Sequence, residues 1–300
     1  MALGCCASKP SAMTEPRLMI DAALAAGVEI ALDEGQSRHV GTVLRRDVGD
    51  ALRAFNARDG EWRARVTEKT KRGLRVRVEA FVRAAVAAPD LDLLFAPVKR
   101  HATDLIVEKA TELGVRRIRP VITQRTIAET VRVDRLAAIA REAAEQTERY
   151  DAPEICEPLS LARALDGWDA GRPLIYADEH GDARAIAYAL KESSPLVGEV
   201  ARASATEGGR SNASLSDSSA SERPPPPAPA PQGGGERAHD SKLALLIGPE
   251  GGFTEEERRM LRALPFVRPV SLGPRILRAE TAAIAALSVI QALWGDWRGA

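Results

Sequence analysis

Leu243-Ala-Leu-Leu-Ile-Gly-Pro-Glu-Gly-Gly-Phe-Thr-Glu-Glu-Glu257 joins a short apolar run to a glycine-rich turn and then to an acidic helix start. An apolar run of this length, bounded by turn residues, predicts a buried strand. Thr254 followed at the third position by Glu257 is a capping-box pattern, so a helix opens at Thr254. Gly248, Gly251 and Gly252 let the main chain approach a ligand closely and leave peptide N–H and C=O groups accessible. In open α/β sheets, ligands bind beyond the carboxyl ends of the strands. An ordinary strand-to-helix turn with a good cap would use the same residues, and their chemistry alone leaves both readings open. Phosphate-binding loops are a poor match. The Lys and Ser/Thr of a P-loop are absent, the glycine spacing is not that of a dinucleotide fingerprint, and Glu255–Glu257 would repel phosphate. A ligand with a positive centre, such as a sulfonium, suits the acid-rich rim.

Outward from this stretch, strand and helix patterns alternate. Buried strands are expected at Leu91–Pro97, Ile118–Thr123, Pro173–Asp178, Leu243–Gly248 and Val267–Leu272. Helices are expected at Arg100–Leu113, Val133–Arg149, Asp182–Leu190, Thr254–Leu264 and Ala279–Trp294, with Gly114 and Pro265 as natural stops. That alternation predicts a largely parallel α/β sheet covered on both faces. A second strand-end turn, Ser271-Leu-Gly-Pro-Arg-Ile-Leu-Arg-Ala-Glu-Thr281, leads into a helix that is apolar on nearly every face. Such a helix is buried within the domain or against a second subunit. Arg275 and Arg278 beside it need a partner, either Glu280 or an anion.

The first third reads differently. Arg17–Asp21, Val28–Leu32, Ala51–Asn56, Glu61–Glu68 and Leu74–Phe81 are short strand patterns, interrupted by one helix near Ser37–Arg46 with Ser37 as its N-cap. This combination suggests a small barrel. Arg63-Ala-Arg65 and Arg75-Val-Arg77, with Lys69, Lys71 and Arg72 between them, put positive charge repeatedly on one strand face, which suits phosphates or a solvated edge. Glu145 and Arg149 have helical i,i+4 spacing and are expected to pair on a solvated face, and Gln146 is an uncharged polar residue able to read a base edge. From Lys191 to about Asp240 the chain is Ser-, Pro- and Gly-rich and too poor in apolar residues to fold, so a disordered insertion is expected, serving as a spacer or a Pro-rich ligand.

The 300 residues suit two modest domains, and 42 basic against 42 acidic residues leave no net field to announce a nucleic-acid partner. No apolar run is long enough for a membrane span. Met1–Pro10 lacks a signal-peptide core, so a cytoplasmic protein is expected, with Met13 as an alternative start. Cys5, Cys6 and Cys156 show no metal-ligand spacing, so no metal site and a reducing compartment are expected. The four histidines are not paired with any Ser or Cys nucleophile.

Taken in order, several stretches resemble the bacterial 16S ribosomal RNA uridine-N3 methyltransferase family of the knotted SPOUT superfamily. They are Arg38-His-Val-Gly-Thr-Val-Leu-Arg45 with Gly49-Asp50, Glu108-Lys-Ala-Thr-Glu-Leu-Gly-Val115, and Glu145-Gln146 with Arg149 and Pro153-Glu154-Ile155. Ile247–Phe253 and Leu272–Thr281 complete the set and are its most specific members. The resemblance runs from about Arg17 to Trp294, outside the insertion. It implies an α/β fold: a C-terminal SPOUT trefoil-knot domain preceded by a small PUA-like β-barrel. The corresponding division is an extension at 1–13, a barrel at 14–88 and a methyltransferase domain at 89–300 with the insertion at about 191–240. It also implies S-adenosyl-L-methionine as cofactor, 16S rRNA or the small ribosomal subunit as substrate, and a homodimer that completes each site.

Carried onto this sequence, the cofactor set is Ile247, Gly248, Glu250, Gly251, Gly252, Leu272, Gly273, Ile276, Leu277 and Thr281. Arg278 is expected to stabilise the uridine anion, with Glu280 orienting it or helping to take the proton. The RNA-facing set is Arg17, Arg45, Arg63, Arg65, Lys71, Arg72, Arg75 and Arg149. Gln124-Arg125 and Tyr150 depart from the family pattern. Ribose 2′-O methylation by a related knotted fold, and a non-catalytic RNA-binding assembly factor, are the competing readings.

Overall fold

The computed structural model describes residues 15–127, 130–179, 183–192 and 242–299. The expected N-terminal extension and the insertion beyond residue 192 lie outside the described residues.

The N-terminal unit contains β1 (Arg17–Met19), β2 (Glu29–Ala31), α1 (Glu34–Arg38), a π-helical turn (His39–Val43), β3 (Ala51–Asn56), β4 (Gly60–Thr70) and β5 (Gly73–Arg83). Their order in the sheet is β1-β3-β4-β5-β2, antiparallel except for the β1–β3 pair. Side chains alternate across the sheet: Leu74, Val76 and Val78 go into the core while Arg75 and Arg77 stay outside. The inward set meets Leu18, Ile20, Leu52, Ala54, Ala64 and Val66 in one apolar cluster.

The helix here starts earlier than expected. Asp33, not Ser37, is the N-cap, because Asp33 and Gln36 form a reciprocal capping box with bonds of 2.8 and 3.1 Å. Ser37 lies inside α1, buried, where its hydroxyl donates to the Leu32 carbonyl and accepts from the Leu74 N–H.

The second unit contains β6 (Leu91–Phe95), α2 (Arg100–Glu112), β7 (Arg117–Ile122), α3 (Val133–Gln146), β8 (Glu154–Ile155), β9 (Leu159–Ser160), α4 (Leu161–Leu165) and β10 (Leu174–Ala177). It continues with β11 (Arg184–Ala185), α5 (Ile186–Glu192), β12 (Leu243–Ile247), α6 (Glu255–Ala263), β13 (Val267–Ser271) and α7 (Ala279–Leu293). The strands form a wholly parallel sheet in the order β11-β13-β10-β12-β6-β7-β8, with β9 also paired to β7. Its central strands are buried on both faces, which is why they read as continuous apolar runs. Leu93, Phe95 and Leu245 pack on one face against Ile106 of α2 and Ala283 and Leu287 of α7, whereas Leu94, Tyr176 and Leu246 pack on the other against Leu161 of α4 and Leu261 of α6. The two-residue strands and α4 were not expected, since elements so short carry no periodicity.

The two units meet along α3. Arg17 donates to the carbonyls of Ala144, Glu145 and Arg149 at 3.1–3.4 Å, and its guanidinium stacks 3.9 Å above Phe55. Burial lowers its pKa first of all, against the pull of Glu61. Met19 N–H donates to the Glu145 carboxylate at 2.9 Å, and burial raises that carboxyl above its usual range.

Arg149 caps carbonyls at the end of α2, those of Thr111 (2.8 Å) and Val115 (2.9 Å), and pairs with Asp151. These contacts correct three expectations. Glu145 and Arg149 are not a solvated i,i+4 pair, because each satisfies buried main chain elsewhere. Arg17 and Arg149, expected to face RNA, have largely buried side chains whose donors serve main-chain carbonyls inside the molecule.

Candidate active site

The strand order places β13, β10 and β12 side by side and parallel, so their carboxyl ends open on one edge. Asp178-Glu179 after β10, Gly248–Gly252 after β12 and Leu272–Arg278 after β13 surround a cleft of about 490 Å³. Gly248 is required by close packing: a Cβ there would lie 2.6 Å from the Phe253 ring, which is itself buried edge-to-face on Tyr176 at 5.2 Å. Gly273 has φ +113°, a backbone region that L side chains rarely adopt.

The turn after β12 is held from the neighbouring loop. Arg125 donates to the Gly251 carbonyl at 2.8 Å, and Gln124 N–H donates to Glu257 at 2.8 Å. The other oxygen of Glu257 accepts the Thr254 N–H at 2.9 Å, completing the capping box. Gln124, which stands where the family more often has an acidic residue, and the arginine that follows it therefore brace the glycine turn.

Charge in the cleft is divided. Asp178 is buried and paired to Arg262 at 2.6 Å, while Glu179 and Glu250 are exposed at the rim. Burial raises the Tyr176 phenol, so it stays protonated at neutral pH. Opposite, Arg275 and Arg278 are exposed, and neither forms an ion pair among the described residues; Glu280 pairs with neither. Lys99, at the mouth after β6, is similarly unpaired.

Of the expected cofactor set, Ile247, Gly248, Glu250, Gly252, Leu272, Gly273, Ile276 and Leu277 line this cleft, with Arg278 beside them. Gly251 and Thr281 of that set do not, nor does Glu280 of the expected catalytic pair. Gly251 faces Arg125, whose Cδ is 3.5 Å from where its Cβ would be. Thr281 is exposed and Glu280 half-buried on the first turn of α7, off the lining. Tyr176, Asp178, Glu179 and Lys99 were missed. Asp178-Glu179, at the end of an expected parallel strand, carried a positional signal, whereas Lys99 carried none.

On the barrel, most of the expected basic stripe is neutralised. Arg63 pairs with Glu15 (2.7 Å), Arg65 with Glu79 (2.6 Å) and Arg75 with Glu68 (3.8 Å). Arg45, Lys71 and Arg72 stay exposed and outside any ion pair among the described residues. No group of His, Cys, Asp and Glu able to hold a metal occurs among those residues, and no described helix is long and apolar enough to cross a membrane.

The chain matches two family models, an RNA methyltransferase PUA domain over residues 32–79 and an RNA methyltransferase domain over 86–217 and 229–291. It is 31% identical to ribosomal RNA small subunit methyltransferase E of Rickettsia conorii over 278 residues, covering 92% of this chain and 95% of that protein. A Legionella pneumophila methyltransferase solved with bound SAM superposes with TM-score 0.72 at 27% identity, covering 95% of this chain and all of that one. Ribosomal RNA small subunit methyltransferase E of Neisseria gonorrhoeae, solved with S-adenosyl methionine, has the same fold, with TM-score 0.70 at 23% identity over 94% of this chain and 99% of that one. With a family model matched over more than half of its length and a relative 31% identical along nearly the whole of both chains, the chain belongs to the RNA methyltransferase family.

Proposed function

We propose that the protein transfers a methyl group from S-adenosyl-L-methionine to N3 of one uridine in 16S ribosomal RNA, acting in the cytoplasm as a homodimer. The observation that carries this reading is the divided cleft, with acidic groups on one wall and unpaired arginines on the other. Its residues fit the cofactor. Gly248 and Gly273 keep the wall free of side chains, and Glu179 and Glu250 suit a ligand with cationic sulfonium and ammonium centres. Ile247, Gly248, Gly252, Leu272, Gly273 and Leu277 would hold it. The bound cofactor supplies an electrophilic methyl group. Positioning and exclusion of water by the cleft would then provide most of the acceleration.

Methylation at N3 requires loss of a weakly acidic imide proton, which passes to solvent water, leaving negative charge on O2 and O4 as the methyl is taken up. Arg278, unpaired at the N-cap of α7, is the group we assign to that charge. Glu280 is not paired with it, so an orienting role for Glu280 has no contact to rest on. The dimer reading is supported by α7: Ala283, Leu287 and Ile290 are buried, but Ile284, Ala285 and Val289 are only half covered. Exposed Ile276, beside the cleft, would be covered by the same partner. We place the barrel at 14–88 and a knotted SPOUT domain at 89–300.

Mass mapping of 16S RNA from cells with and without the gene tests the reaction. One N3-methyluridine is expected to disappear and to return on complementation. A missing 2′-O-methyl nucleoside instead would move the reading to ribose chemistry. Failure to bind S-adenosylmethionine by calorimetry would leave only the assembly-factor reading.

A further inference from the structure

A second cavity, of about 350 Å³, adjoins the cleft and shares Lys99 with it. It lies between the loop after β6 and the loop after β7, on the same carboxyl edge of the sheet. Pro97, Val98, Val131 and Leu136 give it apolar walls, and Ile127 stands 67% exposed at its side. Its rim is cationic. Lys99, Arg100 and Arg132 are exposed and form no ion pair among the described residues, whereas the charge of Arg135 is taken by Asp104. Helices α2 and α3 both begin here, at Lys99 and Arg132, without a side-chain cap, so their first peptide N–H groups add to the positive edge.

Apolar walls under unpaired cations suit a molecule with a flat apolar body and a negative appendage, which describes a nucleotide. We infer that this cavity seats the nucleotide next to the target uridine in the RNA, its base on the apolar walls and its phosphates on Arg100 and Arg132, while the target base passes Lys99 into the cleft. The inference rests on the methyltransferase reading and deepens it by assigning specificity-determining residues outside the cofactor cleft. Two features distinguish the cavity from a solvated edge. The barrel's stripe is largely matched by acidic side chains, but here three neighbouring cations have none among the described residues. The cavity also opens beside the place where the reacting base must arrive, at the shared Lys99.

The test uses the full chain with S-adenosylmethionine and a 16S RNA transcript, comparing wild type, Arg100→Ala/Arg132→Ala and Thr130→Trp. Thr130 lines the cavity from an exposed position, so the indole fills it without entering the core. The double variant should raise the KM for RNA by about tenfold, with kcat and cofactor affinity within about twofold. The slope of log affinity against log salt should fall by about 1.4, as two lost single-strand phosphate contacts require. Thr130→Trp should lower kcat/KM by at least about tenfold while binding cofactor normally. An unchanged KM and salt slope in the double variant, or wild-type kcat/KM in Thr130→Trp, would overturn the assignment. If wild type methylates nothing, the enzymatic reading fails instead, and the salt dependence of RNA binding by the same variants still decides whether the cavity holds RNA.

Discussion

The two edges of the parallel sheet carry cavities of similar size and opposite character. At the amino edge, about 420 Å³ is lined by Asp90, Asp92, Arg116, Arg117, Arg119, Arg172 and Lys242 among others. Every one of those cations has a carboxylate. Arg117 donates to fully buried Asp92 at 2.9 Å, Arg172 to Asp90 at 2.8 Å, and Lys242 to Asp169 at 2.8 Å. Arg116 and Arg119 make longer pairs, 3.6 and 3.8 Å, with Asp90 and Asp92. Arg172 also binds the main-chain carbonyls of Asp90 and Leu243, tying the starts of β6 and β12 together. At the carboxyl edge, Arg275, Arg278 and Lys99 have no such partners among the described residues. A charged cavity marks a binding site only when charge is left over after the fold has satisfied itself. The amino edge is a clasp, and the carboxyl edge keeps the charge that suits a receptor.

That contrast can be broken from either side. Arg172→Ala should lower unfolding free energy by about 3 kcal/mol, because it removes the bonds to Asp90 and to the Asp90 and Leu243 carbonyls and takes one of the cations away from buried Asp92. Denaturant titration measures this, and a loss below about 1 kcal/mol would mean that the amino edge is not structural. Arg278→Ala should leave the denaturation midpoint nearly unchanged and lower kcat by about 10²–10³-fold, with cofactor affinity within a few fold. Abolished cofactor binding with RNA docking intact would show that Arg278 belongs to the cofactor wall rather than to the uridine.

Smaller changes sharpen the picture of the cleft wall. Gly248→Ala sets a methyl group against the buried Phe253 ring, so calorimetry should show cofactor affinity about tenfold weaker, or 1.4 kcal/mol. Wild-type affinity there would mean that the turn does not touch the cofactor. Arg125→Ala removes one charged hydrogen bond to the Gly251 carbonyl and should raise the cofactor KM by a few fold, about 1 kcal/mol. No change in that KM would show that the turn holds its shape without the brace.

Much of the fold was legible because its signals are local. Apolar runs of five or six residues, the Thr254–Glu257 cap, and glycines at strand ends all express chemistry within a single turn or strand. Arginine was the residue type least legible in sequence. Arg17 and Arg149 read as surface charge, yet one bridges the barrel to α3 and the other caps α2, since their partners come from distant parts of the chain. Arg63, Arg65 and Arg75 alternate as a phosphate-binding strand would, and only strand pairing and packing revealed Glu15, Glu79 and Glu68 beside them. Arg278 was read as a charge needing a partner, and the structure leaves it on the cleft without an ion pair among the described residues.

By itself, the sequence determined the glycine turn after Leu243–Ile247, the strand that feeds it and the helix that follows, because steric freedom and hydrophobic period act over a few residues. The tertiary structure decided which walls face that turn. Setting β10 between β12 and β13 brings Tyr176, Asp178 and Glu179 into the cleft, and the loop after β6 brings Lys99. It also decided which charges remain available, because an ion pair depends on distance across the fold rather than on spacing along the chain.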